Sequence, residues 1–569
     1  MKIDIEQLCT ELKTMVSIYR TDKFLGDMTS SISVPKFALS QGLLSPLREI
    51  LYLCNLHLTS TIPEGEEEKI MYSQKDWEEM IEKVNQIQSW YQNNIFKDPP
   101  KTIEDHQLKI ISLQSFLNYF NQGPLNYPEQ ILERIERYFD SFSDYIENKV
   151  GINLKLLLEI IIYLMEVPNR FLDKYINHRK GEITFREFAL EMQKKKIIPP
   201  EWGKHMPERI KMQFEFRKDP GLINTFSVSE LIDRFKKQEV DYFFDLFLVK
   251  REKTDYLFYS QKNQMLNKSL FKREDGDFQF FKRELLPLNL FNTLQDLLMS
   301  DNDIREKYLK KRGNILEKKV AEIFIRHFGG KLEYFESYYT DKGNEQDLIF
   351  FYDKTCLIVE VKSSKLKEPR RDPDKAYDLI KTNFDEVIDK GYEQTFRVKE
   401  YFLDNEDFKI YQDSKLQTCL KEVKTKRYPH HFSITVTLER FGGIQCDLSQ
   451  MLELYDDDSY PWSVTIDDLE SFLLVLNKEK LNNKKLSLNN FLYIRQRMHG
   501  KIFTDDESDI IGAYLKGKLT IKTQFKERRI FPPGDMEIFD LHYQKKRGIG
   551  FDNEIAIEMK SSENTIVLG

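Results

Sequence analysis

Apolar residues recur at helical spacing through the first 240 residues. SPLREILYLCNLHL (45–58), DWEEMIEKVNQIQSWYQ (76–92) and LKLLLEIIIYLMEV (154–167) each place an apolar stripe along one side of a helix. Prolines at 63, 99–100, 124 and 199–200 interrupt the pattern, so residues 1–240 are predicted to be a mainly helical region. From 241 to 300 the pattern shifts to strand-like pieces, DYLFYS and FQFFKREL, around an exposed turn at Glu274-Asp275-Gly276.

Two continuous apolar runs follow, Leu348-Ile-Phe-Phe351 and Cys356-Leu-Ile-Val359, separated by the polar stretch Tyr352-Asp-Lys-Thr355. They predict a tight hairpin of buried strands. The second run continues into Glu360-Val361-Lys362, and strand alternation puts Glu360 and Lys362 on one face and Val361 on the other. Asp347 stands at the mouth of the first strand. Ahead of the hairpin, RGNILEKKVAEIFIRHFGG predicts a helix over 314–328. Leu316, Val320, Ile323, Phe324 and Phe328 form its apolar stripe, and Glu317 lies one step from it. Behind the hairpin, YDLIKTNFDEVIDKGYEQTFRVKEYF predicts a long helix carrying Gln394, and residues 431–438 an alternating strand. This order implies an α/β fold over 301–450, a mixed sheet flanked by helices. Residues 451–569 read as a helical extension of that domain, with IDDLESFLLVLNKE and LNNFLYIRQRM as helices and the acids of 505–509 as charge and capping at a helix start.

Two carboxylates and an ammonium therefore converge at the rim of a buried sheet. Carboxylates gathered there are hard oxygen ligands for Mg²⁺, and a nearby lysine can lower the pKa of an attacking water or neutralise phosphate charge. Glu-x-Lys alone is common in a chain with 31% charged residues. It recurs at Glu317-Lys318-Lys319 and at Glu422-Val423-Lys424, the latter in the polar run LKEVKTKRYP with no apolar strand ahead of it. The plain alternative for Glu360 and Lys362 is a structural hairpin with a solvated ion pair at its rim.

Asp347, Glu360 and Lys362, with the helices on either side, resemble the signature of the PD-(D/E)xK nuclease superfamily over about residues 301–440, with Gln346 in place of the proline before the first acid. The resemblance, nearest to Mrr- and RecB-like members, implies a restriction-endonuclease-like core and a metal-dependent phosphodiesterase, an endonuclease acting on DNA. It implies that Glu317, Asp347, Glu360 and the carbonyl of Val361 hold Mg²⁺, with Mn²⁺ able to substitute. Lys362 would orient or activate water, and Gln394 would position the water or the phosphate. Glu345, Glu336 and Asp341 are further acids that could take the place of Glu317. RNA stays open as a substrate. The implied role is an effector of prokaryotic restriction or anti-phage defence; a repair nuclease and a catalytically silent nucleic-acid-binding scaffold are the alternatives.

Composition narrows this picture only slightly. Hydrophobic content of 40% and aromatic content of 13% fit a folded chain, and a net charge of −7 places any nucleic-acid contact on a local basic surface. The nearest is Lys365, Lys367, Arg370, Arg371 and Lys375; others are Lys424, Lys426 and Arg427, and Lys526, Arg528, Arg529 and Lys545-Lys546-Arg547. Five scattered cysteines and the lack of a signal sequence predict a cytoplasmic protein without structural zinc. The apolar run 156–164 is too short to cross a bilayer, so no membrane partner is expected. No GxxxxGK[ST] loop is present. Any motor would therefore be a separate subunit, and residues 1–240 read as a recognition, oligomerisation or regulatory module.

Overall fold

The computed structural model describes residues 4–554 apart from 34–41, 44–45, 71, 122–125, 178–182, 365–372, 456–457, 482, 505, 527, 532–533, 545–547 and 553. The chain forms two compact units, one from Met1–Trp90 and Asn121–Ser300, the other from Tyr91–Phe120 and Asp301–Ala556. No described helix is long and apolar enough to cross a membrane.

The first unit is mainly helical, and its helices Pro46–Leu58 and Leu154–Met165 follow the apolar stripes read above. Asn153 caps the second of these, its side chain accepting from the Leu156 N–H. Of the strand-like pieces at 241–300, FQF forms the strand Phe278–Phe280, paired with Leu270–Lys272 across the Gly276 turn and with Thr225–Phe226 on its other edge. DYLFYS forms no strand. Residues 241–300 thus belong to the first unit and share its small sheet.

The second unit is built on a seven-stranded mixed sheet. Its strands are β1 (Glu333–Thr340), β2 (Glu345–Tyr352), β3 (Thr355–Lys362), β4 (Asp407–Tyr411), β5 (Cys419–Lys424), β6 (His430–Thr437) and β7 (Trp462–Thr465). Their spatial order is β7-β6-β3-β2-β1-β4-β5. β3 runs parallel to β6, and β6 to β7; the remaining pairs are antiparallel. β2 and β3 are the expected hairpin, turned at Asp353, whose φ of 46° suits a short polar side chain. Every residue of β3 except Lys362 is buried, which is why its sequence is a continuous apolar run and does not alternate.

Helices cover both faces. α1 (Asn302–Phe328) packs on one, with Phe324 4.7 Å from Phe350 of β2. On the other lie α2 (Pro373–Phe384) and α3 (Lys390–Asp404), joined by a π-helical turn over Asp385–Asp389. Val398 and Tyr401 of α3 share a core with Ile349 and Phe351 of β2 and Cys356 and Ile358 of β3. Helix Ile103–Asn121, distant in sequence, adds Ile111 to the core around Phe384 and Tyr392. α4 (Ile466–Glu479) joins α1 through the ion pair between half-buried Lys319 and buried Glu470 at 2.7 Å.

Further elements differ from the sequence reading. α1 begins at Asn302, capped by Asp301, because Arg, Glu and Lys sustain a helix where no apolar stripe marks it. The polar run around Glu422 is the edge strand β5, with Val423 as its one buried residue; charges suit an unpaired edge. Residues after 450 are not only helical: Trp462-Ser-Val-Thr465 is the buried strand β7, too short to register as a pattern. The acidic cluster does act as a cap, since Asp506 accepts from the Ser508 N–H at the start of helix Glu507–Leu515.

α3 approaches the sheet at a glycine. A methyl group on Gly391 would lie 2.8 Å from Thr435 Cγ2 and 2.9 Å from Thr435 Oγ1 on β6. Gly391→Ala should therefore destabilise the second unit by about 1–3 kcal/mol through overpacking, measured by chemical denaturation. A variant of undiminished stability would show that α3 can shift freely on the sheet.

Candidate active site

The main-chain ladder between β2 and β3 ends at Leu348↔Val359. Beyond it β3 stays paired with β6 as far as Lys362↔Thr437, while β2 stays paired with β1 through Tyr338↔Gln346 and Tyr339↔Glu345. The two central strands therefore fork. Side chains bridge the fork where the backbone does not: the Val361 N–H donates to Asp347 Oδ2 at 2.7 Å, and the Asp347 N–H donates to Glu360 Oε1 at 3.2 Å. Lys362 Nζ donates to Glu360 Oε2 at 3.2 Å and also to Gln394 Oε1. Asp347, Glu360, Lys362 and Gln394 thus form one hydrogen-bonded chain.

Two helices deliver the flanking groups from opposite faces. Gln394 lies one turn into α3, just after the π-turn and Gly391, whose missing side chain lets α3 approach Thr435 of β6. Glu317 comes from α1 and is half-buried. Burial lifts its pKa to about 7, helped by the charges of Asp347, Glu345 and Glu336 and opposed by Lys362. Of the acids that could take its place, Glu336 and Glu345 lie in its field, whereas Asp341 is engaged at β4, accepting from the Lys409 N–H and the Tyr411 O–H at 3.0 Å each.

Glu360 is the extreme case. Its side chain is 1% exposed, against 17% for Lys362. Burial pushes its pKa well above the carboxylate range and the charge of Asp347 pushes it further, with Lys362 opposing. Gln346, before the first acid, is 1% exposed, and neither polar atom of its amide has a hydrogen-bond partner in the structure.

The second Glu-x-Lys shows the contrast. Lys424 pairs with Glu422 and Asp407 with side chains about half exposed, and Lys426 pairs with Glu406, so this basic cluster is neutralised on the β4–β5 edge. Of the basic residues expected beside the site, Lys365, Lys367, Arg370 and Arg371 lie outside the described residues, and Lys375 is exposed near the start of α2. His430 and His431 face different partners, Tyr493 and Phe402, as adjacent strand residues must.

The donor set is carboxylate and carbonyl oxygen, the chemistry of Mg²⁺ and not of softer metals. Asp347 and Glu360 are joined as a pair. Among the described residues, no three or more His, Cys, Asp or Glu side chains are drawn into a group that could already hold a metal ion. No family model, curated protein or solved structure matches the chain.

Sequence reasoning did not single out Gly391 or the burial of Gln346. A glycine within an otherwise helical pattern was the available signal for the first; the second depends on strand pairing that no local pattern reveals.

The shift at Glu317 has a consequence for stability. Its folded pKa of about 7 exceeds the ordinary 4.5, so between these values the native state binds more protons than the unfolded one. Stability is lost as pH rises through that window. Glu317→Gln, compared with wild type in EDTA, should gain little at pH 5 and on the order of 1–3 kcal/mol at pH 8. A gain independent of pH in thermal unfolding would contradict the placement of Glu317 in this field.

Proposed function

We propose that the chain is a Mg²⁺-dependent nuclease with a restriction-endonuclease-like core in its second unit, hydrolysing phosphodiester bonds in DNA. The observation that carries this reading is the strand fork, which joins Asp347, Glu360, Lys362 and Gln394 in one hydrogen-bonded chain at the end of a buried sheet. Asp347, Glu360 and the Val361 carbonyl would hold the metal, with Glu317 as a further acid. When bound, the metal supplies Lewis-acid polarisation of the phosphate and a lowered pKa for water.

The chain's own groups do the rest. Glu360 would serve as a ligand in its ionised form. Lys362, fixed between Glu360 and Gln394, directs an ammonium N–H toward the attacking water or a phosphate oxygen. Gln394 accepts from Lys362 through Oε1, which leaves its amide N–H groups to orient the same water or phosphate. Mn²⁺ offers the same oxygen-ligand chemistry. A helical first unit and a chain without a phosphate-binding loop fit an effector of restriction or anti-phage defence that works without a motor of its own.

A second reading is a nucleic-acid clamp that never cuts, favoured by the lack of a preassembled three-ligand group among the described residues. Purified protein incubated with plasmid, linear and single-stranded DNA and with RNA, in Mg²⁺, in Mn²⁺ and in EDTA, separates the two. Product that depends on metal supports the nuclease; tight binding without product under every condition supports the clamp.

Lys362→Ala should lower cleavage at least about a hundredfold with folding and nucleic-acid affinity intact, whereas Lys424→Ala should leave cleavage unchanged. Equal losses in a gel assay would show the site to be elsewhere. Asp347→Asn replaces a carboxylate by a poorer amide ligand and should weaken Mg²⁺ binding about tenfold or more in calorimetry. Unaltered affinity would remove Asp347 from the ligand set.

A further inference from the structure

Residues 183–218 of the first unit close a small core of their own. Phe188 and Met192 of helix Phe185–Lys194 bury against Ile210, with Ile197, Trp202 and Phe214 partly buried around them. Arg209 fastens this lobe to the chain before it, donating to the carbonyls of Tyr175, Ile176 and Asn177 at 3.2, 3.2 and 2.8 Å. The other side of helix Phe185–Lys194 is uncovered. Arg186, Leu190 and Lys194 follow one another there at four-residue intervals, Gln193 lies beside them, and all four are exposed.

The chain carries a net charge of −7, yet this lobe holds nine lysines and arginines against five glutamates. Four of the glutamates are engaged locally. Glu187 accepts from the N–H and O–H of the helix cap Thr184, Glu191 pairs with Lys195, Glu215 with Lys218, and Glu208 accepts from the Tyr175 O–H at 3.3 Å. Arg186, Lys194, Lys196, Lys204, Lys211 and Arg217 are exposed and enter no ion pair among the described residues. The outward field of the lobe is therefore positive. Lys196 adds a second observation. Its φ of 56° is left-handed, and it closes the helix with the Ile197 N–H on the Met192 carbonyl and its own N–H on the Gln193 carbonyl, at 3.0 Å each. Glycine is the ordinary residue at that position, and a lysine held there is strained. Lys194 and Lys195 already meet the dipole of the helix end, so the helix itself does not account for a third cation in strained backbone.

We propose that this lobe docks on duplex DNA, with the exposed side of helix Phe185–Lys194 in the major groove and Lys194, Lys196 and Lys204 against phosphates. Charge alone would suit any polyanion; the shape of the surface narrows the choice. The aromatic rings pack on one another, Phe185 edge-on to Phe214 at 5.0 Å and Phe188 edge-on to Trp202 at 6.1 Å, and present no row of open faces for the bases of a single strand. A bilayer surface calls for a continuous apolar face, whereas this side of the helix offers Leu190 among cations and an amide. B-form DNA admits a helix to its major groove, and duplex RNA, whose major groove is deep and narrow, does not. This placement does not depend on the nuclease reading, which concerns the second unit.

Fluorescence anisotropy of a labelled DNA duplex of about two helical turns, titrated with the full chain in EDTA, measures binding with no cleavage. The triple variant Lys194→Ala, Lys196→Gly, Lys204→Ala should bind about a hundredfold more weakly at low salt, and its slope of log affinity against log salt should flatten by roughly 0.9 for each lysine removed. Because Lys196→Gly also relieves left-handed strain, the triple variant should melt at or above the wild-type temperature while it loses DNA. Should it melt early, Leu190→Glu takes its place: a carboxylate on the groove side leaves the lobe's core untouched and should weaken duplex binding at least about tenfold. Wild-type affinity and slope in these variants would overturn the proposal, as would a wild type that binds no duplex. An equal loss of single-stranded DNA, duplex RNA, polyglutamate or phosphatidylserine vesicles by the triple variant would overturn the choice of DNA. A wild type that binds the duplex through this lobe but never cuts it sinks the nuclease reading and leaves this one standing; metal-dependent cutting with unaltered affinity in the triple variant does the reverse.

Discussion

A carboxyl group without access to solvent, set against a second carboxylate, is the constraint around which the second unit is organised. Glu360 reaches that condition because β3 is covered on both faces, by α1 on one side and α3 on the other. A charge in such surroundings is strongly disfavoured, and the neighbouring Asp347 makes it more so. The fold gives the group two hydrogen-bond donors, the Lys362 ammonium and one main-chain N–H. The fork between β2 and β3 belongs to the same solution. If the ladder continued past Leu348↔Val359, backbone would occupy the space the acids need, and the Val361 N–H would not be left for Asp347.

The fork also explains how helices on opposite faces serve one site. A closed sheet would separate Glu317 on α1 from Gln394 on α3. At the end of the ladder the separation disappears, and the field of Lys362 reaches Glu317 while its ammonium bonds Gln394. The approach of α3 depends on two local departures from regular helix, the π-turn at Asp385–Asp389 and the glycine at 391, which together set the height of Gln394 over the sheet. Neither departure favours an isolated helix. The glycine lies within one helical turn of Gln394, the residue that touches Lys362, and the π-turn ends five residues before it.

What was legible in the sequence follows from how each signal is encoded. The hairpin was readable because burial on both faces writes itself as an unbroken apolar run, and the apolar half of α1 because its stripe is periodic. The alternation expected at 431–438 is overridden in β6, which is buried from Phe432 onward as a central strand between β3 and β7. Edge strands were lost for the converse reason. β5 has a single buried residue and otherwise looks like a solvated charge run, and β7 is four residues long. Within the site, residue identities were legible and the connections were not. Alternation placed Glu360 beside Lys362, but no local pattern announces that Asp347 takes the Val361 N–H or that Gln346 is buried.

The two Glu-x-Lys tripeptides show why identity alone could not settle the chemistry. Lys424 has Glu422 and Asp407 as hydrogen-bonding partners in open solvent, which hold its proton more firmly than an ordinary lysine. Nothing at that edge would be gained by admitting a cation. In β3 the same residue types stand in a medium that penalises charge, with one ammonium between Glu360 and Gln394 and a second carboxylate at hand. There burial and the neighbouring carboxylate disfavour the charge on Glu360, with Lys362 and the main-chain N–H of Asp347 opposing them. The difference between the two Glu-x-Lys tripeptides therefore lies in the burial of the strand that carries each, which is set by residues that touch neither tripeptide.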